Sequence, residues 1–162
     1  MIMASEKIKT QDELSGIIVR EKSMGRKVGF TNGCFDILHR GHVDYLRKAR
    51  GCCDILVVGL NSDSSVKAIK GEGRPLNPQE ARLDVLSVCE PVDYVTVFEE
   101  STPEKLIIKL DPDVIFKGGD WKESDIVGAD HVKAKGGEVR VIPYLEGYST
   151  TRLIEKIRGT GG

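Results

Sequence analysis

Five short apolar runs, each followed by a polar cluster and then by a stretch with helical spacing, constrain this chain more than any other feature. The runs are VGFTNG (28–33), DILVVGLN (54–61), YVTVF (94–98), VIFKGG (114–119) and EVRVIPY (138–144). DILVVGLN is apolar almost throughout, which suits a strand covered on both faces, as strands of parallel sheets are. Strands alternating with helices at this spacing predict an α/β fold, a doubly wound, mainly parallel five-stranded Rossmann-like sheet with helices on both faces. Right-handed crossovers follow from the twist of the strands. At 162 residues the chain is expected to form one domain over 1–162, large enough to bury a real core.

The helices are announced by their ends. Thr10 and Glu13 make a capping box ahead of LSGIIVREKSMG, which predicts a short N-terminal helix over 11–24 closed by Gly25. Another is expected from Gly41 to Arg50, with Val43, Leu46 and Ala49 on its inner face. Asn77 as cap, Pro78 in the first turn and Glu80 behind it predict a helix over 78–89, and Thr102-Pro103-Glu104 opens one that runs to Leu110. Ser149 caps a last helix, TTRLIEKIR, before a Gly-rich tail, 159–162, that is expected to fray. The connection SSVKAIKGEGRPLN reads as polar and mobile.

Sheets of this kind bind ligands beyond the carboxyl ends of their strands, where the strand order reverses. Four polar clusters fall there: TNGCFD, NSD, KGGDW and EGYSTT. With 24 Lys and Arg against 25 Asp and Glu, no overall field draws the chain to nucleic acid or a membrane surface, so any anion site is local. There is no run of about 18 apolar residues, and the start MIMASEKIKT is too polar for a secretory segment, so a cytoplasmic location is expected. Cys34, Cys52, Cys53 and Cys89 form no CxxC pair, and adjacent cysteines suit a disulfide poorly, so reduced, mostly buried thiols and no metal site are expected.

The first cluster continues into TNGCFDILHRGH (31–42), which holds two of the three histidines. Asn32-Gly33 lets the chain turn sharply and aim backbone N–H groups at an anion. His39 and His42 share a face if a helix begins here, and Gly41 keeps that face clear. Two imidazoles flanking a phosphate at a helix start suit phosphoryl or nucleotidyl transfer, where catalysis is mostly stabilisation of charge on phosphorus and its leaving oxygens. An incoming phosphate is already ionised at neutral pH, so the site needs donors rather than a base. Spacing alone leaves a second reading open, two helix-start histidines packed or solvated without a task. A zinc site lacks a third ligand at a usual spacing.

GCFDILHRGH is similar to the G-x-F-D-x-x-H-x-G-H signature of the nucleotidyltransferase superfamily, and Gly147-Tyr148-Ser149-Thr150-Thr151 resembles its C-terminal partner, ISTT. The segments NSDSSVKAIKGEGRPLNPQEAR, FEESTPEKLI, DVIFKGGDW and GGEV resemble one branch of it, the adenylyltransferase domain of ADP-heptose synthase. The resemblance covers nearly the whole chain, 8–158. It implies an HxGH-type nucleotidyltransferase that joins ATP, with Mg2+, to D-glycero-β-D-manno-heptose 1-phosphate, giving ADP-heptose and pyrophosphate. A separate heptose kinase upstream would supply the sugar phosphate, and a homodimer is implied.

Carried over by position, the resemblance makes His39 and His42 the residues that hold the ATP phosphates, and Lys70 the lysine that closes over them. Asn32, Gly33, Cys34, Phe35 and Gly41 line the phosphate turn, and Tyr148, Ser149, Thr150 and Thr151 start the helix that grips the outer phosphates, as a helix N-terminus favours. Lys117, Gly118, Gly119 and Asp120 form the segment beside the base. Glycerol-phosphate cytidylyltransferases carry an aspartate where Gly119 stands, and an arginine where Tyr144 stands; Gly119 therefore leaves room for a purine. Asp36, Asp63 and Arg74 are candidates for the sugar-phosphate side. Asp36 also reads as a turn residue ahead of a helix, Lys70 and Arg74 as part of a solvated basic loop, and Trp121 as a cover for the base or as packing. Another cytidylyl or adenylyl transfer to an alcohol or sugar phosphate, or nucleotide binding without turnover, are the alternatives.

Overall fold

The computed structural model describes residues 4–159. Of the expected tail over 159–162, Gly159 ends the last helix and the rest lies outside the described residues. The chain runs α1 (Ala4–Lys7), α2 (Gln11–Ser23), β1 (Val28–Gly33), α3 (Arg40–Arg50), β2 (Ile55–Asn61), α4 (Asp63–Lys70) and α5 (Gln79–Ser87). It continues through β3 (Tyr94–Phe98), α6 (Glu104–Leu110), β4 (Val114–Gly118), a 3-10 turn (Glu123–Asp125), α7 (Ala129–Ala134), β5 (Glu138–Ile142) and α8 (Thr150–Gly159). The five strands form one parallel sheet in the order β3-β2-β1-β4-β5.

Both faces of the sheet are covered because the strands alternate between two apolar sets. Val28 and Phe30 of β1 and Ile115 of β4 pack with Leu14 and Ile18 of α2 and with Leu106 and Ile107 of α6. Leu56, Val58 and Leu60 of β2 and Val114 and Phe116 of β4 pack on the other face, with Leu46 and Ala49 of α3 and Leu86 of α5. Val43, expected on the inner face of α3, is only half-buried. The free edge of β3 is extended by the segment before α2, where Ile8 bridges Val95 in parallel and the Lys9 N–H donates to the Val95 carbonyl.

The strand order reverses between β1 and β4, with β2 on one side of β1 and β5 beyond β4. There the ladder is short. It pairs Gly29 with Val114 and Phe30 with Ile115 and stops, whereas β1 stays with β2 as far as Gly33↔Leu60, and β4 with β5 as far as Gly118↔Ile142. The sheet is therefore split at the carboxyl ends of its two central strands, and a crevice opens there.

Three stretches differ from expectation. The segment after β2 is helical as far as Lys70: the Ser62 hydroxyl accepts the Ser65 N–H and caps α4, and Val66 is buried. A cap plus one buried apolar residue outweighs the polar composition that suggested a mobile connection. α5 begins after Pro78, which offers no side-chain cap, because the Asn77 amide donates instead to the Asp36 carbonyl. The short α7 follows Gly128 in the left-handed region, φ 84°; it was not expected.

Candidate active site

The chain leaves β1 through a turn whose strained residue is Phe35, φ 45°. The expected reversal at Asn32-Gly33 lies two residues too early, since both still pair with β2. Gly33 is needed for a different reason: a Cβ there would stand 3.0 Å from Cε2 of the Phe35 ring, which folds back over it. Asp36 then locks the turn. Its buried carboxylate accepts the N–H groups of Leu76 and Asn77 and pairs with Arg74 Nε at 2.8 Å. Burial alone would raise the Asp36 pKa, but the Asn77 and Leu76 amides and the Arg74 guanidinium outweigh it and hold the carboxyl below its ordinary range. The Asp36 carboxylate thus serves a clasp between this turn and the segment before α5. Arg74 is the other half of that clasp; with Asp63, Ser64 and Lys67 it also lines a cleft of about 350 Å³.

The clasp delivers His39 to the N-cap of α3, with extended backbone, and His42 to its first turn. Their rings lie 3.9 Å apart and tilted by 32°, with the Phe35 ring 5.4 Å from His42. His39 Nδ1 accepts the Gly41 N–H at 3.1 Å, and His42 Nδ1 accepts the His39 N–H at 3.4 Å. Burial, and for His42 also the neighbouring His39, depress both pKa values, that of His42 to about 4. Both rings are thus neutral at neutral pH. A ring nitrogen that accepts carries no proton, so each imidazole presents Nε2–H as a donor.

Gly41 makes this arrangement possible. A Cβ there would stand 2.9 Å from His39 Cε1 and 3.2 Å from Tyr148 Cβ. The same contact shows that the start of α8 abuts the start of α3; Tyr148 also lies under Arg40, 5.7 Å from guanidinium carbon to ring centre. Ser149 caps α8 by accepting the Arg152 N–H at 3.1 Å. Two helix N-termini consequently converge beside the histidine pair, and the positive ends of their dipoles favour an anion. Thr150 is half-buried and Thr151 exposed at the head of α8.

On the β4 side the Lys117 ammonium donates to Asn32 Oδ1 at 2.9 Å across the split in the sheet. Gly118 and Gly119 follow, and the space above them is filled: a Cβ on Gly119, φ 108°, would meet the Tyr144 ring at 2.5 Å. The room expected for a purine is taken by that ring, itself 71% exposed. Asp120 and Trp121 beyond are exposed. Lys70 is exposed at the end of α4, and its charge, with those of Arg82 and Arg74, acts on the half-buried Cys34 thiol, whose pKa desolvation nevertheless raises. No described contact joins Lys70 to the histidines.

The residue that ties these pieces together had no expected role. Arg82 of α5 is 2% exposed. It donates to the carbonyls of Cys34, Asn61 and Asn77 and to the Asp63 carboxylate at 2.7 Å, fixing the ends of β1 and β2 relative to each other. Its signal in the sequence is an arginine four residues before Leu86, on the stripe that α5 turns inward. Tyr45, whose hydroxyl lies 2.7 Å from that of Thr31, was likewise not expected in the site.

A family model described as cytidylyltransferase-like matches residues 30–156. The bifunctional protein HldE of Wolinella succinogenes is 53% identical over 157 residues, 97% of this chain and 32% of that protein. HldE of Citrifermentans bemidjiense is 53% identical over 154 residues, 95% of this chain and again 32% of the relative. The chain thus spans about a third of the length of the curated relatives it matches. Among solved structures, the lipopolysaccharide core biosynthesis protein from Thermoplasma volcanium superposes with a TM-score of 0.62 at 28% identity, over 77% of this chain and 100% of that one.

Proposed function

Because the chain belongs to the cytidylyltransferase-like family, whose model spans residues 30–156, we propose that it transfers the adenylyl group of ATP to D-glycero-β-D-manno-heptose 1-phosphate. A phosphate oxygen of the sugar attacks the α-phosphorus of ATP, the bond from that phosphorus to the bridging oxygen breaks, and pyrophosphate leaves with the electron pair. ADP-heptose is the other product. The observation that carries this reading is the pair of neutral imidazoles, 3.9 Å apart with both Nδ1 atoms occupied by backbone N–H groups, beside the converging starts of α3 and α8. Such a pair offers fixed donors to a triphosphate and no base, which is what the attack of an already ionised phosphate requires.

The sugar phosphate is supported by the segments that resemble the ADP-heptose synthase branch, by the likeness to HldE proteins, and by a structural neighbour described as a lipopolysaccharide core biosynthesis protein. A heptose kinase activity outside this sequence would supply the acceptor. Magnesium enters with ATP as its counter-ion. Among the described residues no three His, Cys, Asp or Glu side chains gather to hold a metal. No described helix is long and apolar enough to cross a membrane.

The test is pyrophosphate release from ATP and from CTP, with the α and β anomers of the heptose 1-phosphate and with glycerol 3-phosphate as acceptors. ATP with the β anomer is expected to turn over fastest, and His39→Ala or His42→Ala to lower kcat by about 10² to 10³, the usual cost of one preorganised donor. Near-normal turnover in either variant, or a preference for CTP, would reject the assignment.

A further inference from the structure

Among the described residues, Lys117 is a cation without a counter-ion. It follows Val114, Ile115 and Phe116, all fully buried, and its ammonium makes one hydrogen bond, to the amide oxygen of Asn32. No carboxylate pairs with it among the described residues, and burial alone holds its pKa below the ordinary lysine range. A half-buried ammonium satisfied by a single neutral acceptor loses part of its hydration without a compensating charge. Two of its three N–H groups, and both N–H groups of the Asn32 amide, are left to donate.

The side of the sheet on which this cation stands gives it a meaning. Along β4, Val114 and Phe116 belong to the core shared with α3, and Ile115 to the core on the opposite face. Alternation puts Lys117 with Ile115, and Asn32 with Val28 and Phe30 of that same opposite core. His42 lies instead against Phe35, which belongs to the α3 side. Lys117 and Asn32 therefore reach the crevice between β1 and β4 from the face opposite the histidine pair. In an in-line transfer the entering and leaving oxygens lie on opposite sides of the phosphorus. With pyrophosphate held by the histidines and the start of α8, the entering phosphate comes from the side of Lys117.

We propose that Lys117 and Asn32 form the subsite for the phosphate of the acceptor, lying across the nucleotide's α-phosphorus from His39 and His42. This rests on the adenylyl-transfer reading given above. A phosphate monoester dianion supplies both the missing counter-charge and the lone pairs that the free N–H groups lack. The α-phosphate of ATP itself is the competing source of the same chemistry, and the experiment separates the two.

Wild type, Lys117→Met and Lys117→Arg are compared as full chains. The readouts are KM for the heptose 1-phosphate, calorimetric Kd for the magnesium complex of α,β-methylene ATP, and melting temperature. For Lys117→Met the acceptor KM is expected to rise at least about tenfold, the loss of one charged hydrogen bond, while the analogue's Kd stays within about threefold. Lys117→Arg recovers part of the loss. The melting temperature of Lys117→Met does not fall, because an unpaired, half-buried charge is removed; a lysine kept for structure would lower it. An unchanged acceptor KM, or an analogue affinity weakened as much as that of the acceptor, overturns the subsite. Should wild type release no pyrophosphate with any sugar phosphate, the adenylyl-transfer reading fails by itself. Inorganic phosphate titrated into the analogue-saturated protein then decides: binding that Lys117→Met abolishes supports an anion subsite, and binding that is absent or indifferent to the variant overturns it.

Discussion

The protonation of His42 makes a quantitative prediction about acid stability. Its ring, buried against Phe35 and stacked on His39, holds a pKa of about 4 where an ordinary histidine has 6.5. Because the folded pKa is depressed, the unfolded chain binds the proton first as pH falls, so folding stability is complete above the unfolded pKa and declines from there until pH reaches the folded one. The whole interval corresponds to about 3 kcal/mol at roughly 1.4 kcal/mol per pH unit, and about 2 kcal/mol of it is lost by pH 5. Carboxylates lose stability in acid as well, so the measurement is a difference. Urea unfolding at pH 7.5 and 5.0 is compared for wild type and His42→Asn, which removes the titrating ring, and the variant is expected to lose about 2 kcal/mol less between the two conditions. Ring titration by NMR gives the pKa directly. If both proteins lose the same stability, or if the His42 ring titrates near 6.5, the ring is not desolvated as the packing requires, and the argument for a neutral donor pair falls with it.

Two further substitutions separate support of the site from its chemistry. Asp36→Asn breaks a buried pair with Arg74 and weakens two backbone hydrogen bonds; the expected cost is about 3 kcal/mol at pH 7 by urea unfolding. Since the folded pKa of Asp36 is lowered, that difference shrinks only as pH falls below about 4, the unfolded carboxylate range, and through the folded pKa. Gly41→Ala should act with opposite signs on two readouts. Alanine favours the helix by up to about 1 kcal/mol, so the melting temperature holds or rises. A Cβ 2.9 Å from the His39 ring displaces the donor pair, and kcat falls at least about tenfold, as removal of a preorganised donor requires.

The sheet was legible because buried parallel strands are continuous apolar runs, and nothing else in the chain imitates DILVVGLN. The histidine pair was legible because one helical turn is a local distance. What stayed hidden depends on contacts distant in sequence. Asp36 reads as a turn residue or a ligand until Leu76 and Asn77, forty residues on, are seen to donate to it. α4 is helical through the burial of Val66 against the fold, which its Ser- and Lys-rich surroundings conceal. The reversal at Phe35 was misplaced because glycine is the usual residue for such a turn, and here the aromatic side chain itself fills the space over Gly33.

The site is unequally prepared for a nucleotide at its two ends. At the phosphate end every donor is fixed by a backbone partner: His39 by the Gly41 amide, His42 by the His39 amide, α8 by the Ser149 cap. Donors held before the reaction cost no reorganisation when charge develops, as the proposed transfer requires at this end. At the other end the Tyr144 ring covers Gly118 and Gly119 while most of its surface faces solvent. A base approaching Gly119 has to move that ring, and it exchanges one aromatic contact over the glycines for another. With a φ of 108° and no Cβ, Gly119 lets the flat Tyr144 ring lie directly on the backbone. In the proposed reaction, discrimination between ATP and CTP would then rest on how the base stacks and is hydrogen-bonded once Tyr144 has yielded.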